Sequence, residues 1–159
     1  MVIMEKAQEI KPWMVKLRRD FHMHPEPSFE EVRTSKIIAE KLSEMGIETI
    51  PTGKTGVIGL LQGRRPGKVI GLRADIDGLS VTEETGLSYS SKNPGYMHAC
   101  GHDTHITELL GAAKMLSDLR NELTGSVKFI FQPAEEAGNG AAYMIRHGAL
   151  ENPKVNMIV

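Results

Sequence analysis

The sequence has few of the features that mark specialised classes of protein. It contains a single cysteine, Cys100, so no disulfide can form within the chain, and this thiol is free, buried or a ligand. Its apolar runs are only a few residues long, far below the roughly 20 residues of a membrane-spanning helix. The formal net charge of −1 leaves no basic surplus for binding nucleic acid or an anionic membrane. We therefore expect a globular domain with neither of these partners.

A secretory signal is also lacking at the start of the chain. Glu5 and Glu9 interrupt the stretch where such a signal would need continuous apolar residues, so we expect a cytoplasmic protein. Hydrophobic residues make up 40% and charged residues 25% of the sequence, as in average globular domains. A length of 159 residues suits one compact domain with a substantial core.

Four segments have the apolar periodicity of helices. At the second, Ser28 and Glu31 have the spacing of a capping box, and Gly46 is a natural C-terminal stop. Asp103 or Thr104 could cap the third. The four predicted helices run roughly over Glu5–His22, from Ser28 to Gly46, Ile106–Leu119 and Gly140–His147.

Short β-type runs alternate with these helices. The alternation predicts an α/β fold, with a mostly parallel sheet flanked by helices. The polar segment Gly78–Tyr96 is too long for a simple turn, and long loops in compact domains tend to be functional. The five predicted strands are Ile47–Ile50, Gly56–Leu61, Lys68–Arg73, Ser126–Phe131 and Val155–Val159.

Three polar clusters lie next to predicted strands or open a predicted helix. Arg73–Asp77 closes one strand, Met97–His105 precedes the third helix, and Gln132–Glu136 follows another strand. In open α/β sheets, ligands bind beyond the carboxyl ends of the strands. The three clusters could therefore converge on one crevice.

The second cluster contains good ligands for a zinc-like metal. Cys100 and His102, separated by one glycine, can place a thiolate and an imidazole on the same ion. A free cysteine is more often a small buried hydrophobe, so this pair alone is weak evidence. We interpret His98 and His105 as hydrogen-bond donors to ligands or as helix-start residues. His22 and His24 are interpreted as the end of a surface helix.

Adjacent glutamates usually indicate only a solvated surface, and we interpret Glu30–Glu31 and Glu83–Glu84 in that way. Glu135 and Glu136 differ because an apolar strand delivers them to the expected carboxyl edge of the sheet. Neighbouring side chains on an extended or turning backbone point in different directions. One carboxylate can then bind metal while the other acts as a general base, as metal-assisted amide hydrolysis requires.

Three motifs in this order, RADIDGL, MHACGHDTH and FQPAEE, resemble those of the aminoacylase-type metallopeptidases. The most similar branch contains hippurate hydrolases, N-acetyl-diaminopimelate deacetylases and plant auxin-conjugate hydrolases. The likeness covers nearly the whole chain, including LRRDFHMHPEPSFEE and TGLSYSS. It implies a two-metal amidohydrolase of α/β type, part of a metallo-exopeptidase-like catalytic domain, with zinc, manganese, nickel or cobalt as the divalent metal.

The resemblance also implies roles for particular residues. Cys100, His102 and Glu136 occupy the positions of metal ligands, and Glu135 that of the general base. Asp75 occupies a catalytic position that supports the metal site. From the residues themselves, Asp77 lies on the same side of the strand and could exchange roles with Asp75.

The implied reaction is hydrolysis of the amide bond of small N-acyl amino acids, giving a carboxylic acid and an amino acid. The resemblance implies that residues 1–159 form the N-terminal part of the metal-binding catalytic domain. A dimerisation or lid domain and the C-terminal part would then be absent, and the longer protein would be a homodimer or homotetramer. The alternatives are a metallo-dipeptidase or carboxypeptidase of the same family, or an inactive truncated metal-binding fragment.

A nucleotide-binding function is the main alternative from another class, through Gly53, Lys54 and Thr55. A phosphate-binding loop needs a glycine where Glu48 stands, and a helix after the lysine. The segment after this lysine has the pattern of a strand. An ordinary turn lysine is the better interpretation.

Overall fold

The computed structural model describes residues 3–159, and it contains all the predicted helices and strands with shifted ends. Four helices and five strands form within these residues. In chain order they are α1 Ile3–Met23, α2 Val32–Glu44, β1 Glu48–Thr52, β2 Gly56–Gln62, β3 Arg65–Asp75, α3 His102–Asp118, β4 Thr124–Gln132, α4 Gly140–Arg146 and β5 Met157–Ile158. None of the helices in this part of the chain is long and apolar enough to cross a membrane.

The five strands form one sheet in the order β1-β2-β4-β3-β5. This arrangement confirms the α/β class, but the sheet is mixed rather than mostly parallel. β3 pairs in parallel with β4 and β5, whereas β2 pairs antiparallel with both β1 and β4. The short turn Gly53–Thr55 joins β1 to β2, and a connection of that length can only form an antiparallel hairpin.

Alternate side chains of β4 pack on opposite faces of the sheet. Phe129 and Phe131 belong to the larger core, which includes Phe21 of α1, Leu42 of α2 and Leu110 of α3. On the other face, Ile130 packs with a smaller group that includes Met144 of α4. Because β4 lies at the centre of the sheet, it anchors both layers of helices.

The start of α2 differs from the predicted capping box. The helix begins at Val32, and Ser28 lies in the preceding irregular segment. Glu26 satisfies the free N–H groups of the first turn instead, because its carboxylate accepts hydrogen bonds from the backbone nitrogens of Arg33 at 2.9 Å and Thr34 at 2.8 Å. The prediction that Ser28 and Glu31 cap this helix is wrong, and both side chains are used elsewhere.

The start of α3 also differs from the prediction. The helix begins at His102, within the segment MHACGHDTH, rather than after that segment. Its N-terminal flanking residue is Gly101, with φ of +93°. A glycine adopts this left-handed conformation without steric cost. Neither Asp103 nor Thr104 is the cap, and both lie within the first turn. The earlier start places His102 on a rigid helix rather than in a loop.

A buried lysine holds the segment after α4 against the sheet. Lys128 of β4 is only 1% exposed. Its Nζ donates hydrogen bonds to the backbone carbonyls of Ala149 at 3.2 Å, Glu151 at 2.6 Å and Pro153 at 3.0 Å. Burial lowers the pKa of this amine, an effect that the nearby Glu151 partly opposes.

We expect Lys128→Met to destabilise the chain, because methionine fills similar space but leaves three carbonyls without their donor. Leaving buried polar groups unpaired should cost about 2–5 kcal/mol in total. Urea unfolding measures this change. Lys68→Met is the matched control, since Lys68 lies exposed on the neighbouring strand β3, and it should change the free energy of unfolding by less than about 0.5 kcal/mol. Equal effects of the two substitutions would refute the role given to Lys128.

Candidate metal centre

The three polar clusters converge at the carboxyl ends of β3 and β4. Asp75 and Gln132, the last residues of these parallel strands, are directly paired. The segment that follows Gln132 turns back over the strand ends, where the backbone nitrogen of Glu136 donates to Asp77 Oδ2 at 3.0 Å. α3 begins at the same edge with His102. The convergence predicted from the sequence is confirmed.

Cys100, His102 and Glu136 form a group that could hold a metal ion, since one ligand atom from each lies within 4.8 Å of the others. His102 is 2% exposed, and its Nε2 is 3.6 Å from Glu136 Oε1. Cys100 is exposed, and Glu136 is half-buried. The structure thus brings together the three residues predicted as ligands, whose roles stay a prediction.

His102 is oriented by a hydrogen bond on the far side of its ring. Its Nδ1 lies 2.9 Å from the backbone carbonyl of Asp77. Because a carbonyl oxygen only accepts, Nδ1 must carry a proton, and Nε2, which is 3.6 Å from Glu136 Oε1, is the nitrogen that can bind a metal ion. A ligand histidine commonly has this arrangement, in which the second nitrogen fixes the tautomer.

Asp77 supports the centre from within the protein. Burial raises the pKa of this carboxyl, but hydrogen bonds from His102, Ser28 and the backbone of Glu136 and Glu135 outweigh it and lower the pKa to about 2. Burial correspondingly lowers the pKa of His102, and its contacts with Asp77 and Asp75 raise it overall. Asp77 is therefore a carboxylate across the physiological pH range.

The donor set fits a divalent cation. Within the described part of the chain, Glu136 Oε1 is buried and has no hydrogen-bond partner. The pKa of the Cys100 thiol is raised, first by a hydrogen bond with Glu136, then by burial and by the charges of Glu136, Glu135 and Asp75. This concentration of negative charge disfavours a thiolate by itself and would be offset by a cation. Thiolate, imidazole and carboxylate are typical zinc ligands.

Asp75 lies near the same ring nitrogen of His102 as Glu136 does. Its Oδ1 is 3.6 Å from His102 Nε2 and accepts a hydrogen bond from His105 Nδ1 at 2.7 Å. Its Oδ2 accepts from Arg73 at 2.9 Å. Asp75, His102 and His105 form a second group with metal-ligand spacing. Asp75 thus lies near Nε2 of His102, while Asp77 holds Nδ1. Which of the two aspartates has the catalytic role predicted for Asp75 stays a prediction.

Glu135 is the most accessible carboxylate of the centre. Its side chain is 41% exposed, against 19% for Glu136. Glu135 Oε2 lies 3.9 Å from His102 Nε2. The two adjacent carboxylates therefore differ in environment: Glu136 lies close to Cys100, and Glu135 is the more exposed to solvent.

Several residues interpreted as surface groups are buried behind the centre. His22 is 3% exposed, and its Nδ1 donates to Asp103 Oδ2 at 2.6 Å, while Nε2 lies 3.3 Å from Glu83 Oε1. The Glu83 side chain is 2% exposed and Glu31 is fully buried, so the interpretation as solvated is wrong for these two acids, whereas Glu30 and Glu84 are exposed as interpreted. His22 shares the buried side of α1 with Phe21, a position that the pattern of neighbouring apolar residues could have indicated.

His98 and His105 were expected to be hydrogen-bond donors to ligands or helix-start residues. His105 lies in the first turn of α3 and donates to Asp75, which is not one of the predicted ligands. His98 is buried, and neither of its ring nitrogens has a hydrogen-bond partner within residues 3–159. Burial lowers its pKa to about 4. His24 lies partly buried just after α1 and bonds the Asp20 carbonyl.

The turn considered for nucleotide binding carries none of the required structure. Gly53–Thr55 joins two strands, and no helix follows Lys54. The Lys54 amine lies 5.2 Å from the centroid of the Phe29 ring. The interpretation of this residue as a turn lysine is confirmed.

The fold and this cluster define a class of protein: an α/β domain with a candidate divalent-metal site at the carboxyl edge of its sheet. Residues 71–159 match the model of peptidase family M20/M25/M40. The chain belongs to this family.

Relatives and a solved structure agree with this membership. An N-acetylcysteine deacetylase of Bacillus subtilis is 50% identical over 139 residues, covering 86% of this chain and 37% of the relative. Thermostable carboxypeptidase 1 of Saccharolobus solfataricus is 45% identical over 149 residues, covering 91% of this chain and 38% of the relative. The crystal structure of the Bacillus subtilis YXEP protein, described as a dinuclear metal-binding peptidase of the M20 family, superposes with a TM-score of 0.90 at 46% identity, covering 95% of this chain and 42% of that one. The chain thus spans about two fifths of the length of these relatives.

Proposed function

We propose that this chain provides metal ligands and the general base of a hydrolase that cleaves the amide bond of N-acyl amino acids. The observation that carries the proposal is the cluster of Cys100, His102 and Glu136 beside the exposed carboxylate of Glu135. The deacetylase and the dinuclear peptidase among its relatives support the same reaction class.

The chemistry follows from the residue types. A divalent ion held by Cys100, His102 and Glu136 would supply an acidified water and a polarised substrate carbonyl. Glu135 removes a proton from the water as its oxygen attacks the carbonyl carbon. The same carboxyl then returns the proton to the amide nitrogen as the carbon–nitrogen bond breaks. The products are a carboxylic acid and an amino acid.

Asp77 and Asp75 hold the ligand set in place. Asp77 fixes the His102 ring through Nδ1 and the loop of Glu136 through its backbone nitrogen. Asp75, held by Arg73, places a second carboxylate beside His102 Nε2. Mutation of partners of this kind typically costs 10- to 100-fold in metal affinity or activity.

A carboxypeptidase or dipeptidase activity is the second candidate, because a relative at 45% identity is named a carboxypeptidase. The bond broken is again an amide, so the cluster serves either reaction. The two differ in what lies on the acyl side of that bond, an acetyl or benzoyl group in one and an amino acid or peptide in the other.

The test compares N-acetyl-methionine and hippurate with dipeptides, using a full-length enzyme that contains this chain and is loaded with zinc, manganese, nickel or cobalt. Our proposal predicts a kcat/KM at least about tenfold higher for the N-acyl amino acids. A preference for dipeptides would favour the second candidate. Hydrolysis of neither class by the metal-loaded enzyme would contradict both.

Three further expectations from the sequence belong to this proposal. We propose that residues 1–159 are part of a larger catalytic domain accompanied by a lid or dimerisation domain. We also propose that the whole enzyme is a homodimer or homotetramer and that it acts in the cytoplasm on small molecules.

A further inference from the structure

A fully buried carboxylate underlies the loop that carries Glu135 and Glu136. Glu31 directly precedes α2 and is 0% exposed. Its Oε1 accepts a hydrogen bond from the backbone nitrogen of Ala134 at 2.9 Å. Its Oε2 accepts a hydrogen bond from the Thr55 hydroxyl. Glu31 therefore connects the start of α2 and the β1–β2 turn to the residue just before Glu135.

Ala134 has an unusual conformation at this point. Its φ is +53°, in the left-handed region that residues other than glycine seldom adopt. Such a conformation persists only where the surroundings enforce it. Glu31 holds the Ala134 nitrogen, and the Ala134 carbonyl accepts from the Gly140 nitrogen at 3.1 Å. These contacts set the direction in which the chain continues to the two glutamates.

Two other side chains hold the same loop, but both belong to the network around His102. Asp77 accepts from the Glu136 nitrogen at 3.0 Å, and Ser28 accepts from the Ala137 nitrogen at 3.3 Å while donating to Asp77. Glu31 is a separate anchor, since among residues 3–159 its carboxylate bonds to Ala134 and Thr55 and not to the candidate ligands. Its contribution can therefore be altered without touching the ligand set.

We propose that Glu31 is a positioning residue for the catalytic pair: by holding Ala134 in its left-handed conformation, its buried carboxylate fixes where Glu135 and Glu136 point. This inference rests on the proposed function for the roles of those two residues, although the anchoring itself does not. Burial raises the pKa of Glu31, with hydrogen bonds from Thr55 and the backbone opposing it. A leucine would fill the space without the cost of burying a carboxylate but could not accept the Ala134 N–H.

The test uses three variants of the 159-residue chain. Glu31→Leu removes the acceptor for Ala134. Glu31→Gln retains an acceptor oxygen for Ala134 and can donate to Thr55. Thr55→Val is the matched control, because it removes the contact at Oε2 and leaves the one at Oε1. The measurements are amide hydrogen exchange at Ala134, Glu135 and Glu136 in metal-free protein, cobalt affinity, and the thermal midpoint.

We expect Glu31→Leu to accelerate exchange at Ala134 and to weaken cobalt binding about 10- to 100-fold, the usual effect of losing a support for a ligand. Glu31→Gln should restore both to within about threefold of wild type. Thr55→Val should lower the thermal midpoint while leaving cobalt affinity near that of wild type. This separation distinguishes positioning from a general loss of stability.

The inference is overturned if Thr55→Val and Glu31→Leu weaken cobalt binding equally at equal loss of stability, or if Glu31→Leu binds cobalt as wild type does. Should Glu31→Leu not fold, wild type itself decides, because an Ala134 amide that exchanges as fast as an exposed loop amide contradicts the anchor. A wild-type chain that binds no cobalt would contradict the proposed function, and the exchange data would still decide the role of Glu31.

Discussion

Replacing Glu135 with glutamine should lower turnover of a full-length enzyme containing this chain by about 10²–10⁴-fold, the usual contribution of a positioned acid–base group. Glutamine has nearly the same shape but cannot take a proton from water. Since Glu135 is the most exposed carboxylate of the centre, its substitution should leave the metal content near normal. Steady-state kinetics and metal analysis of the same preparation test both parts.

Glu136→Gln is the matched control, because it makes the same chemical change one residue further along. Glu136 lies nearer the other donors, with its Oε1 3.6 Å from His102 Nε2 and without a hydrogen-bond partner in the described residues. Loss of its charge should lower metal affinity, and added metal should restore part of the activity. If Glu135→Gln lost metal and Glu136→Gln kept it, the two roles would be reversed.

The second large effect concerns the 159-residue chain by itself, which we expect to hydrolyse N-acyl amino acids poorly or not at all. A two-metal site needs several protein ligands on each ion together with open positions for water and substrate. Within residues 3–159 the structure offers Cys100, His102 and Glu136 as one group. The second group again uses His102, and a single Nε2 lone pair cannot serve two ions.

The remaining members of the second group, Asp75 and His105, bond to each other. Asp75 accepts hydrogen bonds from His105 on one oxygen and from Arg73 on the other. The chain can therefore hold one ion weakly, but two ions in fixed geometry are not expected. Assays of N-acetyl-methionine and hippurate with added zinc, manganese or cobalt measure this directly. Turnover in the ordinary range of roughly 1–10³ per second would show that our ligand count is wrong.

Local signals in the sequence predict the elements and the position of the centre well. The apolar run before Gln132 places Glu135 and Glu136 beyond a strand, and the structure has them there. Cys100 and His102 adjoin the start of a predicted helix, and the helix itself begins at His102. Such features depend on residues close in sequence, which is why composition and spacing are sufficient to predict them.

Long-range contacts account for what the sequence did not predict. Glu31 has the sequence context of a surface glutamate, yet Ala134, more than 100 residues away, makes it a buried acceptor. His22 and Glu83 are buried for the same reason, since each is satisfied by a distant partner. Burial of a polar side chain depends on whether the fold supplies that partner, and no local pattern contains this information.

The predicted start of α2 is wrong because a different residue, Glu26, caps the helix. Ser28 and Glu31 have the spacing of a capping box, but Glu26 reaches the first turn of the helix. Ser28 is then free to bond Asp77, and Glu31 to bond Ala134. The segment that resembles a helix start instead supports the candidate metal centre.

Cobalt titration of the 159-residue chain and of Cys100→Ala tests the central claim, that Cys100, His102 and Glu136 hold one metal ion. The wild-type chain should develop an intense thiolate-to-cobalt charge-transfer absorption as cobalt is added, because the Cys100 sulfur would coordinate the ion. In Cys100→Ala this absorption should be absent and cobalt binding weaker. An unchanged spectrum in the variant, or no such absorption in wild type at saturating cobalt, would contradict the account.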